Sequence, residues 1–413
     1  MVFVTLTQQP MENEAVTAGF YQTDYSKFPK IQILTIEDLF TGKKLQMPLP
    51  DPSMFKKAAQ LNADQKTTVQ FFFRLADRLV SFPIGGTFML FITNRFPKGS
   101  IQTRVGRKFE FDLKNNAPSN SMFFCNREDD GSITEVGGLN FLSELKRSEY
   151  RQILLYIHGF SNLPDDVFKA VNEFQTLCEL KDEKEVLVVP VIWPCDNDLG
   201  IVKDYWDDQK SADGSAFSLS RVLNRFLEWR ESNLNSPDTD PCLKRINVLA
   251  HSMGNRVLRE TLCAWDKYDL ADGVPLIFRN TFLVAADIEN ESIHRTERAK
   301  LICDASRNVL VYFASDDFAL RASKAANLKN KIASRRLGHT GPENMELTPK
   351  NVYAVDCDDV NNVYDKPKGH SYFRSGREKG KPGLVFDHIY SCLKTGRVSS
   401  EDELRRLTII REK

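Results

Sequence analysis

A serine hydroxyl set on a sharp turn between a strand and a helix is a candidate nucleophile, and one stretch of this chain predicts such a turn. It reads Ile246-Asn247-Val248-Leu249-Ala250-His251-Ser252-Met253-Gly254. The apolar run up to Ala250 reads as a buried strand, and Val257, Leu258, Thr261 and Leu262 follow at helical spacing. A turn between the two lifts the Ser252 hydroxyl out of the sheet, toward solvent or substrate. The strand and helix backbones nearly touch there, so the residues two before and two after the serine must be small. Ala250 and Gly254 meet that need, with alanine in place of the first glycine of the Gly-x-Ser-x-Gly signature. Serine alone is a weak nucleophile. It needs a base to take its proton as it attacks and an acid to orient that base.

The elements that would hold such groups follow an α/β pattern. Strands are expected at 88–93, 109–113, 153–157, 186–192, 246–250, 281–285, 309–314 and 352–355. Helices are expected at 166–180, 217–230, 253–265, 318–327 and 384–393. Alternation of this kind predicts a mostly parallel central sheet with helices on both faces. Runs such as Ile153-Leu154-Leu155, Val186-Leu187-Val188-Val189 and Val309-Leu310-Val311 suit strands buried on both sides. Between Trp193 and Phe217 the chain carries Asp196, Asp198, Asp204, Tyr205, Trp206, Asp207 and Asp208. This is expected to be a surface crossover that covers the site, and its acidity disfavours strongly anionic substrates.

From about residue 88 to 393 the sequence resembles the α/β-hydrolase superfamily, specifically a functionally uncharacterised bacterial branch. The matching pieces are Phe91-Ile92-Thr93-Asn94-Arg95, Tyr156-Ile157-His158-Gly159-Phe160-Ser161-Asn162, Trp193-Pro194, Tyr205 with Asp208, and Ala250-His251-Ser252-Met253-Gly254. Ser315-Asp316-Asp317-Phe318-Ala319-Leu320 and Gly369-His370-Ser371-Tyr372-Phe373 complete the set. The resemblance implies an α/β-hydrolase fold and a serine esterase or lipase-like activity. It also implies that serine, acid and histidine follow in that chain order.

That order leaves His294, His339, His370 and His388 as candidate bases. His370 lies on the resembled motif, in a loop between the final expected strand and the last expected helix. His294 falls earlier, between strands, and His388 within the C-terminal helix pattern. His339, in Leu337-Gly338-His339-Thr340-Gly341, is the competitor. For the acid, Asp317 follows strand 309–314 on the resembled motif, and Asp287, in Ala285-Ala286-Asp287, is the alternative acid. Asp316 is a third possibility, and any of these could instead cap a helix. The oxyanion hole is expected from two backbone N–H groups, Met253 at the positive end of its helix and Phe160 in the turn that resembles the family's oxyanion loop. Gly159 would let that backbone come close. His158 and His251 read as packing groups at strand ends. Cys195 stands where the resembled family has serine.

Charge and composition narrow the function further. Of 413 residues, 56 are basic and 56 acidic, so no overall field draws the chain to nucleic acid or an anionic membrane. The run Arg321, Lys324, Lys329, Lys331, Arg335, Arg336 reads as a solvated helix face. The 8 cysteines lack paired spacings, which suggests reduced thiols and a cytoplasmic location. No stretch approaches the roughly 18 apolar residues of a membrane span, and no signal-peptide pattern opens the chain. No metal-ligand spacing is present. Gly376-Arg377-Glu378-Lys379-Gly380-Lys381-Pro382 falls short of a phosphate loop, and Asp196-Asn197-Asp198 lacks the rest of a calcium loop, so neither cofactor nor metal is expected.

Residues 1–85 are expected to form an N-terminal accessory segment beside a hydrolase domain at 86–400. A strand is expected near 31–36, a short helix from 37 and a longer one at 64–82 with Phe71, Phe72 and Phe73 adjacent. The longer helix would dock on the core, serve a homodimer or bind a partner protein. Ala18-Gly19-Phe20-Tyr21 with 28–40 resembles a tail of some bacterial DNA methyltransferases, which implies a docking module and no methylation chemistry. The substrate expected is a small-molecule or lipid ester. Acyl transfer by the same residues, or a fold kept only for binding or assembly, are the competing readings.

Overall fold

The computed structural model describes residues 89–197, 201–235, 242–270, 272–321, 323, 335–399 and 403–410, together with four short strands in the first 34 residues. The chain divides into two compact units, Met1–Ile84 and Gly85–Lys413. In the first, β1 (Val2–Val4) pairs in parallel with β4 (Gln32–Leu34), and β2 (Phe20–Gln22) pairs antiparallel with β3 (Lys27–Pro29). β4 falls within the strand expected at 31–36. The helices expected near 37–40 and at 64–82 lie outside the described residues.

The second unit is built on a sheet of ten strands: β5 (Met89–Thr93), β6 (Phe123–Arg127), β7 (Ile133–Glu135), β8 (Gln152–Ile157), β9 (Val186–Ile192), β10 (Arg245–His251), β11 (Phe278–Val284), β12 (Ser306–Phe313), β13 (Val352–Asp356) and β14 (Arg406–Thr408). Their order across the sheet is β14-β13-β12-β11-β10-β8-β9-β5-β6-β7. Every pairing from β14 to β5 is parallel, and β6 and β7 add an antiparallel edge. Alternation of side chains feeds two cores. Ile246, Val248 and Ala250 of β10 join one, while Leu249 joins the other.

The main helices are α1 (Gly138–Arg147), α2 (Pro164–Lys181), α3 (Ile201–Asn235), α4 (Gly254–Tyr268) and α5 (Leu384–Thr395). Residues of α1, α3 and α4 fill the first core, and those of α2 and α5 fill the second. The sheet is therefore covered on both faces, as a parallel sheet requires.

Three expectations need correction. Residues 109–113 form no strand: Phe111 makes one isolated bridge with Pro97, and the preceding Lys108 makes another with Thr134. Phe109 and Phe111 alternate because they stack on Phe91, Phe123 and Phe168 over the sheet's end. The antiparallel edge is instead β6 and β7, joined through Asp129-Asp130-Gly131-Ser132 with Gly131 in the left-handed region (φ 85°). The crossover expected up to Phe217 is mostly helix, since α3 runs for 35 residues from Ile201. Its buried stripe, Tyr205, Asp208, Ala212, Ser215 and Leu219, has helical spacing, but its polar and small members hide it from a hydropathy reading. Arg336, expected on a solvated face, is buried and paired with Asp287 at 3.2 Å and Glu289 at 3.5 Å. Residues 324–334 of that basic run lie outside the described residues.

At the starting ends of the parallel strands, amides form a ladder. Asn308 donates to Asn280 at 2.9 Å, Asn280 to Asn247 at 2.9 Å, and Asn247 to Gln152 at 3.2 Å. The same side chains donate to the carbonyls of Leu393, Cys392 and Gly396, which end α5. Helix carbonyls that would otherwise go unpaired are thereby satisfied, and α5 is pinned directly to three strands, β8, β11 and β12.

Candidate active site

At the finishing end of β10 the chain turns directly into α4 through Ser252, whose φ is 53°. A non-glycine residue holds this left-handed conformation only when its surroundings impose it. Here the Ser252 N–H donates to the Val284 carbonyl at 3.0 Å, and the Asn255 amide donates to the carbonyls of Ala250 (2.9 Å) and Ser252 (3.0 Å). The need for a small residue two positions on is steric. A Cβ on Gly254 would lie 2.5 Å from the Ile157 carbonyl oxygen, a backbone atom that cannot move aside.

The turn after β8 comes up against this elbow. A Cβ on Gly159 would lie 2.8 Å from the Ser252 Cβ, so only glycine permits the approach. The carbonyl of Gly159 accepts from His158 Nδ1–H at 2.8 Å, from the Asn162 amide at 3.1 Å and from the Cys195 thiol at 3.6 Å. In a trans peptide the N–H points opposite to the C=O. The three donors therefore set the direction of the Phe160 N–H, which faces away from them. Among the described residues neither Phe160 N–H nor Met253 N–H donates a hydrogen bond, although Met253 is buried. Buried donors are seldom left unspent.

His158 is a positioning group for this turn. Its Nε2 accepts the Trp193 N–H at 3.1 Å, which leaves the proton on Nδ1 for the Gly159 carbonyl, and its ring stacks on Trp193 at 5.1 Å. Burial holds its pKa down at about 4, so it stays neutral. Burial likewise raises the Cys195 pKa well above the usual thiol range. The thiol keeps its proton and serves as a weak donor, the polar role a serine would play at that position.

His370 follows β13 and donates from Nδ1 to Asp317 Oδ2 at 2.7 Å. The fully buried Asp317 divides its work: Oδ1 accepts the Leu320 N–H at 3.0 Å and caps the helical turn there, while Oδ2 holds the histidine. Asp365 fixes the histidine's backbone by accepting the N–H groups of His370 (2.8 Å) and Ser371 (2.7 Å). The His370 loop meets the elbow through His251, the residue before Ser252. The His251 Nε2–H donates to the His370 carbonyl at 3.2 Å and the two rings lie 4.7 Å apart. Burial opposes a charge on His370, but the Asp317 carboxylate and its hydrogen bond, with the charges of Asp287 and Asp365, outweigh that and hold the pKa above the ordinary imidazole value. Burial, aided by nearby His370, drives the pKa of His251 well below that value.

The other candidates lie elsewhere or face elsewhere. Asp316 accepts from the amides of Asn361 (2.5 Å) and Asn362, bracing the loop rather than the imidazole. Asp287 accepts from Ser323 Oγ at 2.5 Å and pairs with Arg336, while its backbone N–H donates to the Ser252 carbonyl at 3.1 Å. His388 lies on α5 with Tyr312 OH 2.8 Å from its Nδ1, and burial lowers its pKa. His294 ends a short turn after Asn290–Ile293, and His339 lies in the short helix Leu337–Thr340. Sequence reading missed Asn162, Asn255 and Asp365. Asn162 lies on a resembled motif, and the signal of the other two is only that each is a small polar residue within five positions of a named site residue.

All eight cysteines are free thiols. Among the described residues no group of three or more His, Cys, Asp or Glu side chains could hold a metal ion, and no helix is long and apolar enough to cross a membrane.

No curated protein matches the chain. Among solved structures it is similar to that of a tributyrin phosphonate with esterase B from Lactobacillus rhamnosis, at 12% identity and a TM-score of 0.26 over 71% of this chain and 73% of that one. Residues 138–378 match the family described as alpha/beta hydrolase of unknown function (DUF900). That span exceeds half of the chain and contains the elbow, Asp317 and His370, so the protein belongs to this α/β-hydrolase family.

Proposed function

We propose that this chain is a serine hydrolase that cleaves carboxylic esters, small or lipid, through an acyl-enzyme on Ser252. His370 is the base, Asp317 the acid that orients it, and the N–H groups of Phe160 and Met253 form the oxyanion hole. The observation that carries the reading is the 2.7 Å bond from His370 Nδ1 to Asp317, made by a loop that packs against the residue preceding Ser252. With its proton committed to Asp317 at Nδ1, a neutral His370 presents Nε2 as the acceptor.

In the reaction, Ser252 Oγ attacks the ester carbonyl as His370 Nε2 takes its proton. Negative charge develops on the carbonyl oxygen, where the two unspent N–H groups can receive it. Collapse expels the alcohol, which takes the proton from His370. Water then repeats the sequence on the acyl-enzyme and releases the carboxylic acid. Because the donors are held before substrate arrives, little reorganisation is needed as charge forms.

A fluorophosphonate probe is expected to label the wild type and not Ser252→Ala, and p-nitrophenyl esters of graded chain length are expected to turn over only with the wild type. Replacing His370 with glutamine should lower kcat by about 1,000-fold or more. A folded wild type that takes no label and hydrolyses no ester in the series would refute the assignment.

A further inference from the structure

The turn that carries Phe160 is tied down on one side by its near neighbours, and on the other by a single carboxylate from a distant part of the chain. Asp208 lies on α3 and is fully buried. Its Oδ2 accepts the Ser161 N–H at 2.8 Å, and its Oδ1 accepts the Asp196 N–H at 3.1 Å and the Asn116 amide at 3.0 Å. Three separate segments, the turn after β8, the chain after β9 and the residues before β6, are thus joined at one side chain. Burial raises the Asp208 pKa while these donors pull it down. The buried guanidinium of Arg95, itself donating to the Cys195 carbonyl at 2.5 Å, adds positive charge nearby.

The proposed acyl transfer makes no direct use of Asp208, yet a buried carboxylate is costly unless something employs it. Ser161 supplies the reason. Its φ is 58°, a left-handed conformation that a side chain adopts against a penalty on the order of 1 kcal/mol. Left alone, the turn would relax toward other backbone conformations, and the adjoining Gly159–Phe160 peptide could rotate with it. The donors on the Gly159 carbonyl fix one edge of that peptide. The Ser161 N–H, bound to Asp208, fixes the next.

We propose that Asp208 is a positioning residue for the oxyanion hole, holding the 159–161 turn so that the Phe160 N–H stays aimed at the elbow before substrate binds. The inference rests on the serine-hydrolase reading above. Removing the carboxylate loosens one oxyanion donor without touching the substrate or Ser252. The loss therefore falls on transition-state stabilisation, not on ground-state binding.

The test compares wild type, Asp208→Asn and Asn280→Ala on one p-nitrophenyl ester, with a trifluoromethyl ketone as a probe that forms a tetrahedral adduct on the serine. Asn280 belongs to the amide ladder at the far end of the strands, so Asn280→Ala should lower the melting temperature and leave kcat within about twofold. Asp208→Asn should lower kcat by about 10- to 100-fold with KM within about threefold, and weaken the ketone by the same factor as kcat/KM. If Asp208→Asn does not fold by circular dichroism, Asn116→Ala takes its place. It removes one of the three donors to the same carboxylate and should show a smaller drop in kcat at unchanged KM. An active wild type beside a folded variant with unaltered kcat and ketone affinity overturns this role alone. A wild type that neither turns over ester nor takes a fluorophosphonate overturns both it and the reading on which it rests.

Discussion

His370 is subject to two opposing influences, and the balance sets how activity must depend on pH. Burial disfavours the imidazolium, while Asp317, with nearby Asp287 and Asp365, favours it more strongly in sum and raises the pKa above the ordinary imidazole value. A base must be neutral to accept the serine proton, so the acid limb of kcat/KM is expected above that ordinary value. Replacing Asp317 with asparagine should move the limb to lower pH and cut kcat by about 1,000-fold or more. A limb that stays in place would assign it to another group. Stability runs the other way. A group whose folded pKa is raised contributes fully below its unfolded pKa and loses that contribution as pH rises through the folded value. The His370–Asp317 pair should therefore add most to stability on the acid side, where catalysis is weakest. Denaturant titrations of wild type against His370→Gln at pH 5.5 and 8.5 would measure this. At this scale Ser252 is legible from sequence because its requirements are local: a small residue on either side and a strand-to-helix switch. Asp317 and Asp287 are not separable that way, since each follows a strand end. Only the observed partners divide them, an imidazole for Asp317 and Arg336 with Ser323 for Asp287.

Among the elements, the amide ladder shows how buried polar groups fix register. Each ladder side chain has a partner on the next strand or at the end of α5, so a slip of one residue would leave several amides unpaired in the core. Asn280→Ala removes three of these bonds and strips partners from Asn247, Asn308 and the Cys392 carbonyl. A loss of about 1–3 kcal/mol per group left unpaired is expected in equilibrium unfolding. A smaller loss would mean that the α5 contact is held by its apolar face alone. Most of the parallel strands were legible because both their faces are buried and their runs are largely apolar, whereas β14, with Arg406 and Thr408 at its ends, was not expected. β6 and β7 escaped notice. Cys125-Asn126-Arg127 ends one in polar residues, and three residues make the other too short to show a period. The helix expected at 217–230 lies within α3, but the first half of α3 escaped because aspartate, serine and alanine line much of its buried stripe. These small residues let it lie close to the sheet, where Asn94 reaches Ser215 at 2.9 Å.

In the whole molecule, every residue assigned to chemistry lies in the unit Gly85–Lys413, and none in Met1–Ile84. We propose that the N-terminal unit recruits a partner or a second copy and takes no part in the reaction. A protein lacking residues 1–84 is expected to take the fluorophosphonate label at the wild-type rate, while any partner held by the full chain is lost. Loss of labelling in a folded truncation would show that the first unit completes the site. The sequence by itself determined the layered α/β class and the strand-to-helix elbow at Ser252, and it narrowed the candidate base and acid to a few histidines and aspartates. Each of these depends on local pattern or chain order. Tertiary structure decided the rest: which aspartate meets His370, which groups hold the Gly159 carbonyl, and which distant carboxylate accepts the Ser161 N–H. The two carboxylate contacts join residues 47 or 53 positions apart, and their geometry exists only once the sheet has set its strand order.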